Sequence, residues 1–470
     1  MQVSVPILNG VYTDNASDFR VEYPRNMIPV FQGSGISKGY FRPADGIVFA
    51  GSGPGVDRGG IEWNGVHYRV MGTKLVSISS SNVVTILGTI GGSGQVTLDY
   101  SFSYLAIASS GQLWLYNPTE GLRQNVDPDL GTVIDMVWVD GYFMTTDGQY
   151  LIVTELNDPF SVNPLKYGSS EADPDPIVAL LKVKNEVYAL NRHTIECFQN
   201  VGGTLFPFQR VTGAQVQRGV VGTNACCLFS ESIAFLGGGR NEAPAVWFVN
   251  GGNTEKVSTR EVDQILAQYS ETVLSQVLFE ARVDKGYKHL YIHLPDCTLV
   301  FDGAATAMSQ EQIWFVLSDG TSEEFSQYRA KNLVWFNDRW IVGDPQSSNF
   351  GYLTDQISSH WNEIVRWGFG TTLVYTGNKG AVFHDLELVP ISGNSTFGAD
   401  PSIWVSYTED GQTWSQERVC KAGKTGQRAK RIAWFKQGRM RQWRGYRFRG
   451  TSDAHISFAR LDANLEPLTV

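Results

Sequence analysis

The sequence has no apolar run approaching the ~18 residues that cross a bilayer as a helix, and its start lacks the charged, apolar and small-residue order of a secretory signal. Those absences predict a soluble protein made and kept in a cytoplasm. Cysteine is scarce: Cys197, Cys226, Cys227, Cys297 and Cys420 are odd in number and contain no C-x-x-C pair. Neither a disulfide framework nor a zinc site is expected. Cys226 and Cys227 lie in an apolar strand-like run, where neighbours point to opposite faces, and read as small buried hydrophobes. Phosphate-cradling and nucleophile-elbow motifs are missing from the strand-to-helix settings that give them meaning, and Gly237-Gly238-Gly239 reads as a flexible loop. The most informative absence is local. Residues 418–449 contain no Asp or Glu but twelve Lys or Arg, in a chain whose formal net charge is −9. The remaining residues therefore carry about −21, and a split of this kind reports on partners more than on fold.

What is present points to β structure. The 470 residues are 42% hydrophobic and 12% aromatic, with 49 glycines and recurrent short runs of Val, Ile and Thr, which suits strands joined by tight turns. Residues 133–139, Asp140-Gly141, 142–146, Asp147-Gly148 and 150–156 read as a meander with two hairpin-type turns. Similar units fall at about 61–90, 95–125, 131–165, 176–212, 219–258, 272–320 and 325–355, roughly 42 residues each, near the period of four-stranded propeller blades. A six- or seven-bladed β-propeller is expected over residues 46–356, with an array of sandwiches as the alternative and no W-D or kelch signature to fix the blade count. One helix, capped by Thr259 over residues 262–269, would be inserted between blades. Residues 1–45 read as an N-terminal arm lying over the propeller or another subunit, and residues 357–470 as a C-terminal β-sandwich-like domain, with the boundary near 356–366.

Candidate chemistry is thin. His289 and His293 have the spacing of a helical zinc pair, but their segment alternates as a strand, which would set them about 13 Å apart, too far to share one ion. The other histidines, His67, His193, His360, His384 and His455, have no ligand spacing. Glu171, Asp173 and Asp175 lack the glycine and terminal glutamate of a calcium loop and read as a loop stiffened by Pro174 and Pro176. Residues 407–414 (Tyr-Thr-Glu-Asp-Gly-Gln-Thr-Trp) resemble a degenerate Asp-box, the turn of sialidase-like propellers. They sit outside the repeats, and glycoside hydrolysis would need two facing carboxylates that the sequence does not nominate. No catalytic residue, metal or cofactor is therefore expected.

The basic stretch interleaves charge with aromatics: Arg447 and Arg449 would share one strand face while Tyr446 and Phe448 pack on the other. Such a face fits bidentate pairing with carboxylates of a protein partner, tracking of a phosphate backbone, or simple solvation. The candidate subunit, adaptor or DNA contacts are Arg428, Lys430, Arg431, Arg439, Arg441, Arg444, Arg447 and Arg449.

Several short pieces, in preserved order, resemble the tail-hub proteins of short-tailed phages, also called packaged-DNA-stabilisation or tail accessory proteins. They include Tyr23-Pro24-Arg25-Asn26-Met27, Tyr68-Arg69-Val70, Thr194-Ile195-Glu196, 216–223 (Val-Gln-Arg-Gly-Val-Val-Gly-Thr), His293-Leu294-Pro295, Asp385-Leu386-Glu387, 408–411, Gly438-Arg439-x-Arg441 and 445–449. The stretch from Gly303 to Gln312 departs from the family pattern. The resemblance implies a non-enzymatic virion protein, six copies of which form a ring below the portal and its adaptor. Such a ring closes the channel after DNA packaging, retains the genome, and anchors fibres, spikes or a needle. Double-stranded DNA would pass through the channel, and an acidic wall would avoid adhesion to its phosphates. The alternatives are a sialidase-like carbohydrate-active propeller and a nucleic-acid-binding protein using the basic stretch.

Overall fold

The structure, a computed structural model, describes residues 1–13, 20–32, 36–376, 379–391, 399–451 and 453–468. Among these, seven antiparallel sheets follow one another along the chain. Blade 1 spans residues 57–89, blade 2 97–124, blade 3 135–169, blade 4 177–210, blade 5 219–256 and blade 6 278–317. Blade 7 takes three strands from residues 331–354 and its fourth, Gly46–Ser52, from the other end of the propeller sequence, paired from Asn349↔Ser52 to Thr354↔Gly46. The first strands of successive blades touch around a closed ring in which Lys331–Phe336 of blade 7 returns to Asp57–Trp63 of blade 1. This is a seven-bladed β-propeller, all-β as expected, and the blade count left open by the sequence is seven.

Local sequence explains each blade. In blade 3, Asp135–Val139 pairs with Tyr142–Thr146 across Asp140-Gly141, both at positive φ (49° and 90°), the conformation that an Asp-Gly hairpin turn supplies at little cost. Blade 7 shows the limit of local reading: the unit expected at 325–355 holds only three strands, because the closing strand lies almost three hundred residues upstream and no turn announces it. The expected helix is present but shorter, Arg260–Leu266, with the Thr259 side chain accepting from the Val262 N–H, and Tyr269 lies beyond it. Another short helix, Gly303–Ser309, occupies the stretch that departs from the family pattern, where Asp302 accepts from the N–H groups of Ala304 and Ala305.

The inner ring is wired by carboxylates. An innermost strand leaves edge N–H groups unpaired, and buried amides need acceptors. Asp99 of blade 2 accepts from Trp138 N–H of blade 3 at 2.6 Å, and Asp135 of blade 3 from Leu180 N–H of blade 4 at 2.8 Å. Glu280 of blade 6 accepts from Asn332 and Leu333 N–H of blade 7 at 3.0 and 2.7 Å. Between blades 7 and 1, Asp57 binds Arg69 at 2.7 Å and the Asn332 amide at 2.5 Å.

The second unit is a two-sheet sandwich. One sheet orders Met27–Val30, Tyr40–Pro43, Ser457–Pro467, Ala381–Ile391 and Ile432–Met440, with Gln2–Val5 also on Ser457–Pro467. The other orders Arg366–Gly370, Trp443–Thr451, Ser402–Thr408 and Arg418–Lys421. Their inner faces meet through aromatics, Phe41 with Phe369 at 4.7 Å and Trp367 with Phe458 at 5.2 Å between ring centroids. The expected N-terminal arm over residues 1–45 is thus divided: Gln2–Val5, Met27–Val30 and Tyr40–Pro43 are built into the sandwich, while Val11–Thr13 pairs with Arg20–Glu22 and that pair touches both the sandwich and the propeller helix Arg260–Leu266. The three sandwich strands go there because an otherwise open sheet edge is a better home for short strands than solvent.

The two units are joined by Pro24-Arg25-Asn26. Arg25 N–H donates to Gly368 O of the sandwich at 2.8 Å, while Asn26 N–H donates to Val316 O of blade 6 at 2.8 Å. The buried Arg25 guanidinium reaches the carbonyls of Ser322, Glu323 and Asp319 at 3.0, 3.0 and 3.1 Å, and Asn26 Nδ2 bridges Ser318 O and Arg366 O, both at 2.7 Å.

Candidate docking surface

The basic stretch covers three sandwich strands and their turns, Arg418–Lys421, Ile432–Met440 and part of Trp443–Thr451. Tyr446 and Phe448 are fully buried and Arg447 and Arg449 lie on the opposite, partly exposed face, as alternation requires. The eight candidate contacts nevertheless divide. Arg444 shares the inward parity of Tyr446 and Phe448 and has no exposed surface. Its guanidinium donates to Gln437 O at 2.8 Å, Arg439 O at 2.6 Å and Glu409 Oε1 at 2.6 Å, and lies 4.0 Å from the Tyr407 ring centroid. Arg444 is therefore a strut of the fold and is removed from the contact surface.

Three more candidates are engaged within the chain. Arg431 grips both oxygens of Glu387 and Arg449 both oxygens of Glu417, while Arg447 sits 3.1 Å from Glu323 and over the Trp414 ring at 4.4 Å. Arg428, Lys430, Arg439 and Arg441 are exposed. Arg439 and Arg441 flank the tight turn that carries the chain from Ile432–Met440 in one sheet to Trp443–Thr451 in the other, beside a bulge in which Lys436 and Gly438 adopt φ of 56° and 81°. Arg444 holds that bulge by its carbonyls, so the buried arginine sets where the exposed ones project.

The Asp-box-like turn belongs to the same construction. Asp410 accepts from the N–H groups of Gln412 and Thr413 at 2.9 and 2.7 Å, and those bonds with the Thr413 hydroxyl hold its carboxyl well below the usual range. Glu409 is the partner of Arg444 and Trp414 the platform of Arg447. The motif is a structural turn that ties two family-like segments together.

Elsewhere, His289 lies 3.3 Å from Asp302, and His293 lies 2.8 Å from Glu280 and 3.0 Å from Thr298 on its strand Tyr287–His293. Burial pushes the His293 pKa down, opposed by the Glu280 carboxylate beside it. Asp173 binds Arg240 of blade 5 through both oxygens, and Asp175 caps His193 N–H at 2.6 Å. Cys226 is buried and its neighbour Cys227 partly so, and burial pushes both thiols up. A cleft of about 690 Å³ between blades 6 and 7 and the sandwich is lined by charges that neutralise one another: Arg282 binds Asp45 and Asp284, Arg42 binds Asp45, and Lys285 binds Asp355, at 2.6–2.8 Å.

Sequence reasoning missed Arg366. It opens the strand Arg366–Gly370, whose alternation of Trp367 and Phe369 inward with Arg366, Gly368 and Gly370 outward was the available signal.

Comparison with known proteins agrees with this architecture. The family model described as bacteriophage P22 Gp10, β-propeller, matches residues 3–358, and that described as bacteriophage P22 Gp10, β-sandwich, matches residues 366–466. The chain is 26% identical to the tail hub protein gp10 of Salmonella phage P22 over 485 aligned residues, covering 98% of this chain and 99% of that one. Among solved structures, the N-terminal domain of Nup159 matches 66% of this chain and 95% of its own length at 9% identity and TM-score 0.41. The Pan2 WD40 domain of Neurospora crassa matches 65% and 94%, also at 9% identity and TM-score 0.41. The carbohydrate-active and nucleic-acid-binding alternatives find no support in these matches. Through its propeller and its sandwich together, the chain belongs to the bacteriophage P22 Gp10 family.

Proposed function

We propose that this protein is a structural hub of a short-tailed phage tail. Six copies form a ring below the portal and its adaptor, close the DNA channel after packaging, and carry fibres, spikes or a needle. The observation that carries this reading is the end-to-end match to a tail hub protein, spanning both folding units. A seven-bladed propeller is suited to the role: its rigid rim offers fixed surfaces, and a closed ring reuses one heterologous contact around its axis. The protein acts without a cofactor and catalyses no reaction; it is made in the host cytoplasm and resides in the virion.

Within this reading Arg428, Lys430, Arg439 and Arg441 form the docking face for acidic neighbours in the ring or the adaptor. Exposed basic residues at sandwich turns steer association with an acidic partner and set its register. Replacing Arg439 and Arg441 by alanine is expected to leave the monomer folded and to weaken ring assembly or adaptor docking. Mass measurement and electron microscopy of the purified variant, alone and with portal complexes, check this. Assembly equal to that of the parent protein counts against the docking face, and failure of the parent chain to form rings or bind portal complexes counts against the hub reading itself.

A further inference from the structure

We infer that the cleft between blade 6 and the sandwich, floored by Arg366, binds the carboxylate of an acidic, apolar-flanked peptide segment of a partner protein. Only 13% of the Arg366 side chain is exposed, yet its guanidinium makes no hydrogen bond among the described residues, and the nearest carboxylate oxygen, Glu323 Oε1, is 3.8 Å away. That oxygen is already 3.1 Å from Arg447, on a Glu323 side chain that is itself 68% exposed. A largely covered cation whose one ion-pair partner lies 3.8 Å away and is shared with Arg447 is poorly compensated, and bidentate pairing with a carboxylate is the interaction a guanidinium makes best.

The surroundings raise the demand for an anion. Gly368 and Gly370 face Arg449 and Arg447 across the sheet, so three arginines line one wall. Burial pulls the Arg366 pKa down, opposed by the Glu323 carboxylate and helped by the fields of Arg449 and Arg447. The larger cleft beside Asp45 is the contrast, since its arginines bind carboxylates of their own chain.

The shape and lining choose among anions. The cleft holds about 300 Å³, with Val21, Ile265, Val316 and Phe325 among its apolar walls, near the small end of ligand sites. Glu22, Glu261 and Asp296 line it as well. A nucleic-acid backbone would meet those carboxylates with repeated charge and could not bury itself in so small a space. One carboxylate flanked by apolar side chains matches both linings. The site is separate from the exposed face of Arg428, Lys430, Arg439 and Arg441 and does not depend on it.

The test is calorimetric titration of the full chain with acetyl-Val-Glu-Leu-amide, its glutamine counterpart, inorganic phosphate and a short DNA duplex. The acidic peptide is expected to saturate one site per chain, with the other three at least about tenfold weaker. Arg366→Gln is expected to weaken the peptide by about tenfold or more while leaving the thermal midpoint of the free chain unchanged or raised, since a poorly compensated cation has gone. Arg366→Lys, which keeps the charge and loses the planar fork, should fall between. No peptide saturation, equal binding by Arg366→Gln, or preference for phosphate or duplex overturns the inference. So does a marked fall in thermal midpoint or loss of folding on Arg366→Gln, which would make Arg366 a structural cation.

Discussion

The propeller and the sandwich carry opposite charges and use them for the same kind of work. In the propeller, Asp99, Asp135 and Glu280 supply acceptors to backbone N–H groups on the next blade's inner strand. In the sandwich, arginines supply donors to backbone carbonyls: Arg444 to Gln437 and Arg439, and Arg418 to Phe435 and Lys436. Inner blade strands expose amides along an axis too narrow for another strand, whereas bulged sandwich edges expose carbonyls. Part of the charge split read from the sequence is therefore hydrogen-bond accounting inside the fold. The acidic excess of about −21 includes carboxylates such as Asp135 and Glu280 that are engaged with backbone amides, so an acidic channel wall would have to be made by others.

The comparison is broken most severely at Arg444. Arg444→Ala removes three hydrogen bonds from a side chain with no exposed surface and leaves two carbonyls without a donor, and a loss of about 3 kcal/mol is expected. Urea unfolding of the full chain measures it. A loss under about 1 kcal/mol would mean that water replaces the guanidinium and that the strut is dispensable.

A smaller and pH-dependent effect is expected at Asp135. Burial pushes its carboxyl up to about 7, against the bonds from Leu180 N–H and Thr97 Oγ1 that favour the charged form. The folded chain then keeps a proton that the unfolded chain has lost between about pH 4 and pH 7. The sign follows: this group makes stability fall as pH rises through that window, by at most about 1.4 kcal/mol per pH unit, and level off above it. Asp135→Asn removes the slope. Denaturation midpoints of the two proteins across that range check it, and parallel curves would place the proton elsewhere in the inner ring.

The contrast also explains what was legible beforehand. Blades 1 to 6 could be marked off because each is built from neighbouring strands and local turns such as Asp140-Gly141, whose chemistry lies in two residues. The closing strand Gly46–Ser52 and the sandwich strands Gln2–Val5 and Tyr40–Pro43 could not, since they pair with strands up to 462 residues away and short strands carry no signal of a distant edge; Met27–Val30 joins the sandwich only through Tyr40–Pro43. In the basic stretch the alternation of Tyr446 and Phe448 with Arg447 and Arg449 was readable. The same parity assigned Arg444 inward, but a run of arginines invited reading by charge alone. The pairing of Arg431, Arg447 and Arg449 with Glu387, Glu323 and Glu417 was hidden because every one of those carboxylates lies outside the stretch.

The smallest expected effect sharpens the line between charges that wire the fold and charges that decorate it. Arg449 and Glu417 form a bidentate pair over the Trp404 ring, with the guanidinium carbon 4.5 Å from its centroid, but the side chains retain 21% and 33% of their surface. Solvent screening and the entropy of holding two long side chains reduce such a pair to about 1 kcal/mol or less. A double-mutant cycle of Arg449→Ala and Glu417→Ala, read by urea unfolding at low and high salt, should return a coupling of that size that shrinks as salt is added. A salt-insensitive coupling approaching the Arg444 value would move Arg449 into the frame. Arginines on the outward face of Trp443–Thr451 would then be wired as firmly as those on its inward face, and exposure would no longer separate the docking candidates from the struts.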